Sequence, residues 1–391
     1  MSRKKRRTGK VESPVVLLEG FNSVEIRCLL KHAREWCWEL HGTWDPANPW
    51  NRDRRPAGAI IKSFYRGPLA VHLRRIDCPA VRLGRLPDPS DGLLPAVLPD
   101  LALSGRMAAE HFSVRKFRQV AFAGYDPENP DANMHAAFAA FRERAGELGM
   151  HCWLFRRADC SGRKADDREK ARTGALSNWL RGLPKPIGLF CFNDIMAERI
   201  LALCLEMELA VPEDVALLGY GNAVQCEIAP VRLSSIDPGL AAQVESAALL
   251  LQRLMSGEPA PKEPIMVPPA GIVERRSTNV LAVEDPVVAH ALRFLWENYE
   301  RDLSVTEVAA HVGVNRRMLE RGFREELGST VREELRRRRL NAACDLLRDS
   351  DDSIAEIAAR VGYRSTQYLH RAFLGAYGVT PRKYRLSKRS Q

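Results

Sequence analysis

The last hundred residues contain one helical pattern twice, and this repetition constrains the fold more than any other feature of the chain. In each copy, apolar residues occur at positions i, i+3, i+4 and i+7, a glycine follows, and an i, i+4 apolar pair closes the unit. The first copy consists of Val305, Val308, Ala309, Val312, Gly313, Leu319 and Phe323, and the second of Ile354, Ile357, Ala358, Val361, Gly362, Leu369 and Phe373. This spacing predicts two helix-turn-helix units, at about residues 303–324 and 353–374, whose second helices have the geometry that enters a DNA major groove.

The excess positive charge of the chain lies at its two ends. Of the net +10, residues 1–10 contribute six Lys or Arg and no acid, and residues 286–391 contribute twenty Lys or Arg against fourteen Asp or Glu. A module that binds phosphates concentrates its charge in this way, although a solvated basic face remains open as an alternative for the C-terminal segment. Residues 1–13 are too basic to form a core, and we expect a disordered arm there.

Length and composition bound the remaining possibilities. A chain of 391 residues with 45% hydrophobic content can form two or three domains. The nine cysteines show neither CxxC nor Cys/His spacing, so we expect no disulfide, metal or cofactor. The apolar run after the basic start is only Val15–Leu18, and no apolar stretch is long enough for a membrane helix. These features predict a cytoplasmic, nucleoid-associated protein.

Residues 14–279 alternate short apolar runs with helical stretches, a pattern that predicts α/β architecture. The predicted strands are Val15–Leu18, Ala59–Ile61, Val120–Ala123, Leu189–Phe192, Val215–Leu218 and Ile265–Val267, and the predicted helices include Asp131–Leu148, Ile195–Leu209 and Leu240–Met255. Runs of this kind favour parallel sheets covered on both faces, and the length of the region favours two lobes with a ligand cleft between them. Residues 280–286 are the predicted linker to a helical domain at 287–391.

The motifs at the C-terminus and in the middle of the chain resemble two known families. The ending Gly378–Arg385 resembles the DNA-binding domain of the arabinose-regulator (AraC) family, and the middle domain resembles the sensor of the lactose-repressor (LacI) family. The residues that match the sensor are Phe192, Asn193, Asp194, Ala197, Val211, Pro212, Val215, Gly219, Tyr220, Asn222, Leu233–Asp237 and Val273–Thr278. The resemblance covers about residues 14–387.

That resemblance implies a fold and a function. The fold is a type I periplasmic-binding-protein-like sensor of two α/β lobes, followed by an all-α double helix-turn-helix domain. The function is sequence-specific transcription regulation, as a ligand-responsive activator of genes for the catabolism of a xylose-like sugar. The implied partners are double-stranded operator DNA, a small-molecule effector, RNA polymerase and a second copy of the chain, with no membrane.

Two positions of this chain depart from the sugar-sensing relatives. Those relatives place an arginine four residues before an aromatic on the first helix of the second lobe; here the aromatic is Phe138, and Met134 stands at the arginine position. The aspartate expected two residues after Gly219 is Gly221. A DNA-binding or architectural protein with a vestigial or non-sugar pocket is therefore the alternative to a sugar sensor.

Three residues are the candidate effector contacts: Asp194, Asn222 and His135. The Asp194 carboxylate can accept two hydroxyl hydrogen bonds from a sugar, or it can serve as the N-cap of a helix that begins at Ile195. His135 can supply a polar contact in place of the missing arginine, or it is an ordinary surface residue.

The resemblance also places base contacts on the second helix of each helix-turn-helix unit. The candidates are Arg316, Arg317, Glu320 and Arg321 in the first unit, and Thr366, Gln367, His370 and Arg371 in the second. Arginine pairs naturally with guanine, glutamate with cytosine N4 and glutamine with adenine. The alternative for any single arginine is a phosphate contact or an ion pair with Glu320, Glu325 or Glu326.

Two further expectations concern the same region. Asn315 stands where an N-cap residue is needed. The run Arg336–Arg339 lies in the predicted connecting helix, and because four consecutive residues cannot share one helical face, at most two of them should meet DNA.

Enzymatic function is the alternative from another class. Reader modules of this kind are sometimes fused to cysteine alkyl acceptors, which need a thiolate activated by a neighbouring base, and only the pair His151–Cys152 comes near that arrangement. No nucleophile elbow, phosphate-binding glycine loop or paired catalytic carboxylates occur in the sequence. We therefore expect no catalytic residue and no enzyme.

Overall fold

The computed structural model describes residues 14–21, 23–41, 56–62, 78–84, 94–124, 132–155, 165–280, 282–283 and 285–389. The predicted basic arm, residues 1–13, lies outside this range. The chain divides into two compact units at about residue 279, with residues 115–117 assigned to the second unit. We call them the α/β unit and the helical unit.

The first lobe of the α/β unit is built on a parallel six-stranded sheet. Its strands are β1 (Val15–Glu19), β2 (Glu39–His41), β3 (Gly58–Ile61), β4 (Ala80–Leu83), β5 (Ala96–Pro99) and β11 (Ile265–Val267), in the order β11-β5-β4-β3-β1-β2. Helix α1 (Ser23–Glu35) follows β1, and α2 (Leu101–Val114) follows β5. Most residues of the central strands are buried on both faces, as parallel strands covered by helices require.

The second lobe repeats this plan with a second six-stranded sheet. Its strands are β6 (Gln119–Ala123), β7 (His151–Leu154), β8 (Ile187–Cys191), β9 (Val215–Tyr220), β10 (Ser234–Asp237) and β12 (Gly271–Val273), in the order β12-β10-β9-β8-β6-β7, and only β12 is antiparallel. The helices that follow its strands are α3 (Ala132–Glu147), α4 (Ala165–Gly182), α5 (Asp194–Glu206) and the short α6 (Gln225–Ile228). Helix α7 (Leu240–Met255) comes after β10 in the sequence but packs on the first sheet.

The chain passes between the lobes three times. It first crosses after β5, because α2 packs on α3 of the second lobe, with the Phe112 and Phe141 ring centroids 6.5 Å apart. It crosses again after β10, because α7 packs its apolar side chains on the first sheet and β11 extends that sheet. The last crossing leads to β12 in the second sheet. The two lobes are therefore not consecutive segments of sequence.

The helical unit contains two helix-turn-helix pairs joined by a long helix. Its helices are α8 (Pro286–Glu297), α9 (Val305–His311), α10 (Arg316–Leu327), α11 (Val331–Asp349), α12 (Ile354–Arg360), α13 (Thr366–Tyr377) and α14 (Pro381–Arg389). Helices α9 and α10 form the first pair, α12 and α13 the second, and α11 connects them. The two turns contain Gly313 and Gly362, both in the left-handed region, with φ values of 73° and 79°. The predicted fold class is confirmed.

Side-chain caps explain where the helices of both pairs begin. Ser304 caps α9, Asn315 caps α10, Ser353 caps α12 and Ser365 caps α13, each through a side-chain oxygen that accepts a backbone N–H of the first turn. The predicted role of Asn315 is therefore confirmed. Helix α8 begins at Pro286, the last residue of the predicted linker. Among the described residues, no helix has the length and apolarity needed to cross a membrane.

Close contact between α2 and α3 depends on Gly105. A Cβ atom at this position would lie 2.3 Å from the carbonyl oxygen of Ala137 and 2.9 Å from the backbone nitrogen of Phe141. Both are backbone atoms of α3, so the clash cannot be relieved by a side-chain rotation. The two helices can approach this closely only while residue 105 has no side chain.

We predict that Gly105→Ala lowers the free energy of unfolding by about 1–3 kcal/mol, because the two helices must separate. Gly174 is the matched control: it lies within α4, is exposed, and has open space where a Cβ would be. Gly174→Ala should stabilise the chain by up to about 1 kcal/mol, the usual gain in a helix. Urea unfolding of both variants measures the difference, and equal effects would contradict the packing argument.

Candidate functional site

Asp194 lies at the carboxyl edge of the second sheet, at the start of α5. The N-cap of this helix is Asn193, whose side-chain oxygen accepts the backbone N–H of Met196 at 2.8 Å. The alternative that Asp194 is the cap is therefore wrong, because the helix begins one residue earlier than predicted. The Asp194 carboxylate is 3% exposed and accepts hydrogen bonds from the Ala223 backbone N–H (2.8 Å) and the Ser235 hydroxyl (2.6 Å). It thus connects the start of α5 to the segment after β9 and to strand β10.

Two glycines make room for this carboxylate. A Cβ at Gly219 would lie 2.2 Å from Asp194 Oδ1, and one at Gly221 would lie 3.0 Å from Oδ2. Gly221 also has a φ of 129°, which residues with a side chain rarely adopt. An aspartate at position 221 could not adopt this backbone conformation. The local geometry therefore explains why this chain has glycine where the sugar-sensing relatives have aspartate.

Asn222 is held by three hydrogen bonds within the second lobe. Its backbone N–H donates to Ser235 Oγ (3.0 Å), its side-chain nitrogen donates to Asp237 (3.1 Å), and its side-chain oxygen accepts from Arg275 (2.8 Å). Its φ of 50° is left-handed, a conformation that asparagine tolerates better than most residues. An effector contact would therefore use the remaining amide hydrogen or lone pair, and that role stays a prediction.

Arg275 fixes the same edge from within the lobe. Its guanidinium is buried and donates to the Glu227 carboxylate, to the Leu233 carbonyl oxygen (2.9 Å) and to Asn222. A second buried group of hydrogen bonds lies nearby. In it, the Ser234 and Thr278 hydroxyl oxygens are 2.7 Å apart, and the Ser277 hydroxyl donates to the Leu217 carbonyl oxygen (2.5 Å). The segments Leu233–Asp237 and Val273–Thr278, which resemble those of sugar sensors, therefore have a structural role in this chain.

The remaining candidate contact lies in different surroundings. His135 is exposed in the first turn of α3, whereas Asp194 is buried. Phe138 lies four residues after Met134, the residue that stands at the arginine position of the relatives. Its ring is buried against Phe122, with centroids 5.3 Å apart. This ring belongs to the core of the lobe.

Two aromatic side chains at the same edge were not among the predicted contacts. Phe192 follows β8 and Tyr220 ends β9, and their rings are nearly parallel, 9° apart in orientation, with centroids separated by 6.5 Å. The Tyr220 hydroxyl is buried and has no hydrogen-bond partner among the described residues. Burial raises the pKa of Tyr220, as does the nearby Asp237 carboxylate, so the hydroxyl is a neutral donor. Aromatic residues at the carboxyl ends of buried strands are the sequence signal that could have identified them.

The predicted base contacts of the first pair lie on the exposed side of α10. Arg317 makes no hydrogen bond or ion pair with any residue that the structure describes. Arg316 pairs with Glu320 (2.8 Å), and Arg321, which is 70% exposed, lies 3.8 Å from Glu325. Because exposed ion pairs contribute about 0–1 kcal/mol, these arginines can exchange their partners for DNA at little cost.

The second pair presents a less charged surface. Gln367, His370 and Arg371 are exposed on α13, and Thr366 is half-buried at its start. Tyr368, which sequence reasoning passed over, is 60% exposed at the third position of α13. Met318 occupies the third position of α10 and is 51% exposed. Both helices therefore carry an apolar side chain at the same place among polar ones.

The arginine run of α11 is mostly engaged within the helical unit. Arg337 forms an ion pair with Glu334 (2.6 Å), and the Arg338 guanidinium lies 4.7 Å from the centre of the Tyr299 ring. Arg339 donates to the carbonyl oxygens of Tyr299 (2.8 Å) and Arg301 (2.7 Å). Arg336 is exposed and makes one long hydrogen bond, 3.3 Å, to the Ala372 carbonyl.

The cysteine considered for catalysis is not activated. Burial raises the pKa of the Cys152 thiol to about 12, which is the opposite of what an alkyl acceptor needs. Among the described residues, no three His, Cys, Asp or Glu side chains are arranged to hold a metal ion.

The chain is similar to known proteins over both units. Residues 109–278 match the periplasmic binding protein-like domain family, and residues 288–387 match the helix-turn-helix domain family. The chain is 35% identical to the xylose operon regulatory protein of Escherichia coli (strain K12) over 211 residues, which are 54% of this chain and 54% of that protein. It is 30% identical to the protein of the same name from Haemophilus influenzae over 210 residues, again 54% of each. The alignments span about half the length of these curated relatives.

A solved structure, that of the xylose-binding transcription activator xylR, is similar over nearly the whole chain. The identity is 26% and the TM-score is 0.70, and the match covers 95% of this chain and 97% of that one. The order of the two domains is therefore the same in both.

We predict that Asp194→Asn lowers the free energy of unfolding by about 1–3 kcal/mol, because an amide cannot accept from both Ala223 and Ser235 as the carboxylate does. Glu198 offers a matched control on the same helix, since it is exposed. Glu198→Gln should change stability by less than about 0.5 kcal/mol. If the two variants melt alike in urea, the Asp194 hydrogen bonds contribute little to the lobe.

Proposed function

We propose that this chain is a ligand-responsive regulator of transcription, in which a periplasmic binding protein-like domain is joined to an AraC-type helix-turn-helix domain. The observation that carries the proposal is the pair of capped helices, α10 and α13, each with an exposed polar face. A helix whose buried side packs on its own unit and whose other side is polar and exposed is suited to a major groove. The effector domain is assigned to residues 14–279, the linker to 280–286 and the reader to 287–391.

The partner of the reader is double-stranded operator DNA. On α10 we assign base contacts to Arg316, Arg317, Glu320 and Arg321, and on α13 to Thr366, Gln367, His370 and Arg371. Met318 and Tyr368 add an apolar contact each, of the kind that recognises a thymine methyl group. Helix α10 carries four arginines and three glutamates and α13 carries one arginine and no acid, so each helix has a formal charge of +1.

We predict that Arg317→Ala weakens operator binding by about 1–3 kcal/mol and relaxes base preference in only one of two protected segments, which should be centred about 10 bp apart. Arg317 is the sharpest choice because it has no partner to lose within the described chain. Arg253→Ala removes an exposed arginine of the α/β unit and is the control. Footprinting with selection from a randomised duplex measures both quantities, and a uniform loss across all sequences would make Arg317 a phosphate contact instead.

The effector is proposed to be a small sugar, xylose-like, bound at the carboxyl edge of the second sheet. The relatives named for the xylose operon support the class of ligand, and the local chemistry agrees with it. Asp194 and Asn222 have accepting or donating capacity beyond their internal bonds, and the Tyr220 hydroxyl lacks a partner among described residues. His135 completes the set of proposed contacts. Parallel faces of Phe192 and Tyr220 can border a sugar ring.

We predict that D-xylose at 100 times its dissociation constant stabilises the chain by about 2.7 kcal/mol. Tyr220→Phe should leave the stability of the free protein unchanged, because the hydroxyl has no internal partner, and should reduce the stabilisation by the sugar. L-xylose is the matched control ligand, and thermal unfolding measures all four combinations. If no pentose, hexose or acidic sugar stabilises the protein, the pocket is vestigial and the architectural alternative is favoured.

The remaining partners follow from this proposal. We infer that two copies of the chain pair to present four helix-turn-helix units on one operator, and that the bound regulator activates transcription by contacting RNA polymerase. Its place would then be the cytoplasm, on the nucleoid. No catalytic role is proposed, because the thiol considered for one is held protonated.

A further inference from the structure

The helical unit contains a pocket of about 450 Å³ beside the second helix-turn-helix pair. Its walls come from α11, from the turn between α12 and α13, and from the start of α13. The charged residues that line it are Arg336, Arg339, Arg364, Arg371 and Asp302, an excess of three positive charges. A pocket of this size and charge is suited to a small anionic group.

Only one of these arginines is paired with an acid. Arg364 donates to the Asp302 carboxylate, and this hydrogen bond lowers the pKa of Asp302. Arg339 donates to two backbone carbonyl oxygens, and its charge also lowers the pKa of Asp302 without forming an ion pair with it. Arg336 has one long bond to a carbonyl, and Arg371 has no hydrogen bond to any described residue. No carboxylate of the described chain lies within ion-pair distance of these three.

Tyr363 adds a donor without an acceptor. Its hydroxyl is buried and has no hydrogen-bond partner in the part of the chain that the structure describes. Burial raises the pKa of Tyr363, so this group is a neutral phenol that can donate. The guanidinium of Arg339 lies 5.8 Å from the centre of its ring. A buried polar group is nearly always hydrogen-bonded in a folded protein, so this donor points to an acceptor supplied from outside the chain.

The donor set selects the ligand. Arginine has five N–H donors and no acceptor, and the free hydroxyl beside these arginines also donates. A phosphate group supplies several strong acceptor oxygens and up to two negative charges, and arginine binds it with two parallel hydrogen bonds. A neutral sugar would bring donors that find few acceptors in this pocket.

We propose that this pocket binds a phosphate group, supplied either by a free phosphate ester or by the backbone of duplex DNA. The second source rests on the proposed function, and the first does not. Tyr368 and Arg371 line the pocket and also lie on the exposed side of α13. A phosphate held there fixes the side chains that face a DNA groove, so occupancy of the pocket controls how the second pair reads bases.

The first test measures phosphate binding in the absence of DNA. The full chain is titrated with inorganic phosphate at constant ionic strength, balanced with chloride, and thermal unfolding is followed. Arg336→Gln should weaken the dissociation constant about tenfold, and Tyr363→Phe should weaken it several-fold without changing the melting temperature of the free protein. Arg332→Gln removes an exposed charge of α11 that does not line the pocket, and it should bind phosphate like the unaltered chain.

The second test measures binding to a 30-bp duplex of arbitrary sequence. If a backbone phosphate occupies the pocket, Arg336→Gln should reduce the slope of log affinity against log salt by about 0.9 more than Arg332→Gln does. Tyr363→Phe should then weaken the duplex several-fold. If the pocket variants lose affinity only for inorganic phosphate, the ligand is a free phosphate ester. If they lose affinity only for the duplex, the ligand is a phosphate of the DNA backbone.

The proposal is overturned if Arg336→Gln and Tyr363→Phe match Arg332→Gln in both tests. Failure of the proposed function looks different. In that case the unaltered chain would bind no duplex, while inorganic phosphate would still stabilise it and the two pocket variants would still lose that stabilisation.

Discussion

A continuous chain of hydrogen bonds at the carboxyl edge of the second sheet holds the proposed effector site together. It runs from the Asp194 carboxylate to the Ser235 hydroxyl, from there to the backbone N–H of Asn222, and from the Asn222 side chain to Arg275. These residues come from four separate places in the sequence, and each buried donor finds an acceptor. Buried polar groups left unpaired cost about 1–3 kcal/mol each, so the network is stable only as a whole. The glycine at position 221 and the left-handed backbone of Asn222 follow from its geometry.

Hydrogen bonds and a cation–π contact also hold the two helix-turn-helix pairs together. The segment between α8 and α9 packs on the turn of the second pair, where a Cβ at Gly362 would lie 2.6 Å from the Tyr299 carbonyl oxygen. Arg339 donates to that same oxygen, and the Arg338 guanidinium lies over the Tyr299 ring. Arginines that look available for DNA in the sequence therefore join the two pairs into one reader. These contacts help to fix the position of the second pair relative to the first.

The sequence predicts best where structure depends on neighbours along the chain. Both helix-turn-helix pairs were predicted because helical periodicity is local, and Asn315 was identified as a cap because a cap contacts its own helix. Strand β10 was not predicted as a strand, since Ser234 and Ser235 look like loop residues until their buried partners are known. Asp194 was considered as a cap, yet its partners are at positions 223 and 235. Such long-range hydrogen bonds cannot be deduced from spacing.

Two tyrosine hydroxyls that are buried without a hydrogen-bond partner differ in the charge of their surroundings. The hydroxyls of Tyr220 and Tyr363 both lack a partner among the described residues, and burial raises the pKa of each. The Asp237 carboxylate near Tyr220 repels an anion, so a neutral oxygen such as a hydroxyl of the proposed sugar is the acceptor that we expect there. Arg336 and Arg339 near Tyr363 attract an anion, so an anionic oxygen is the acceptor that we propose for the pocket beside the second pair. We infer that the charge beside each of these two hydroxyls determines which kind of acceptor can complete it.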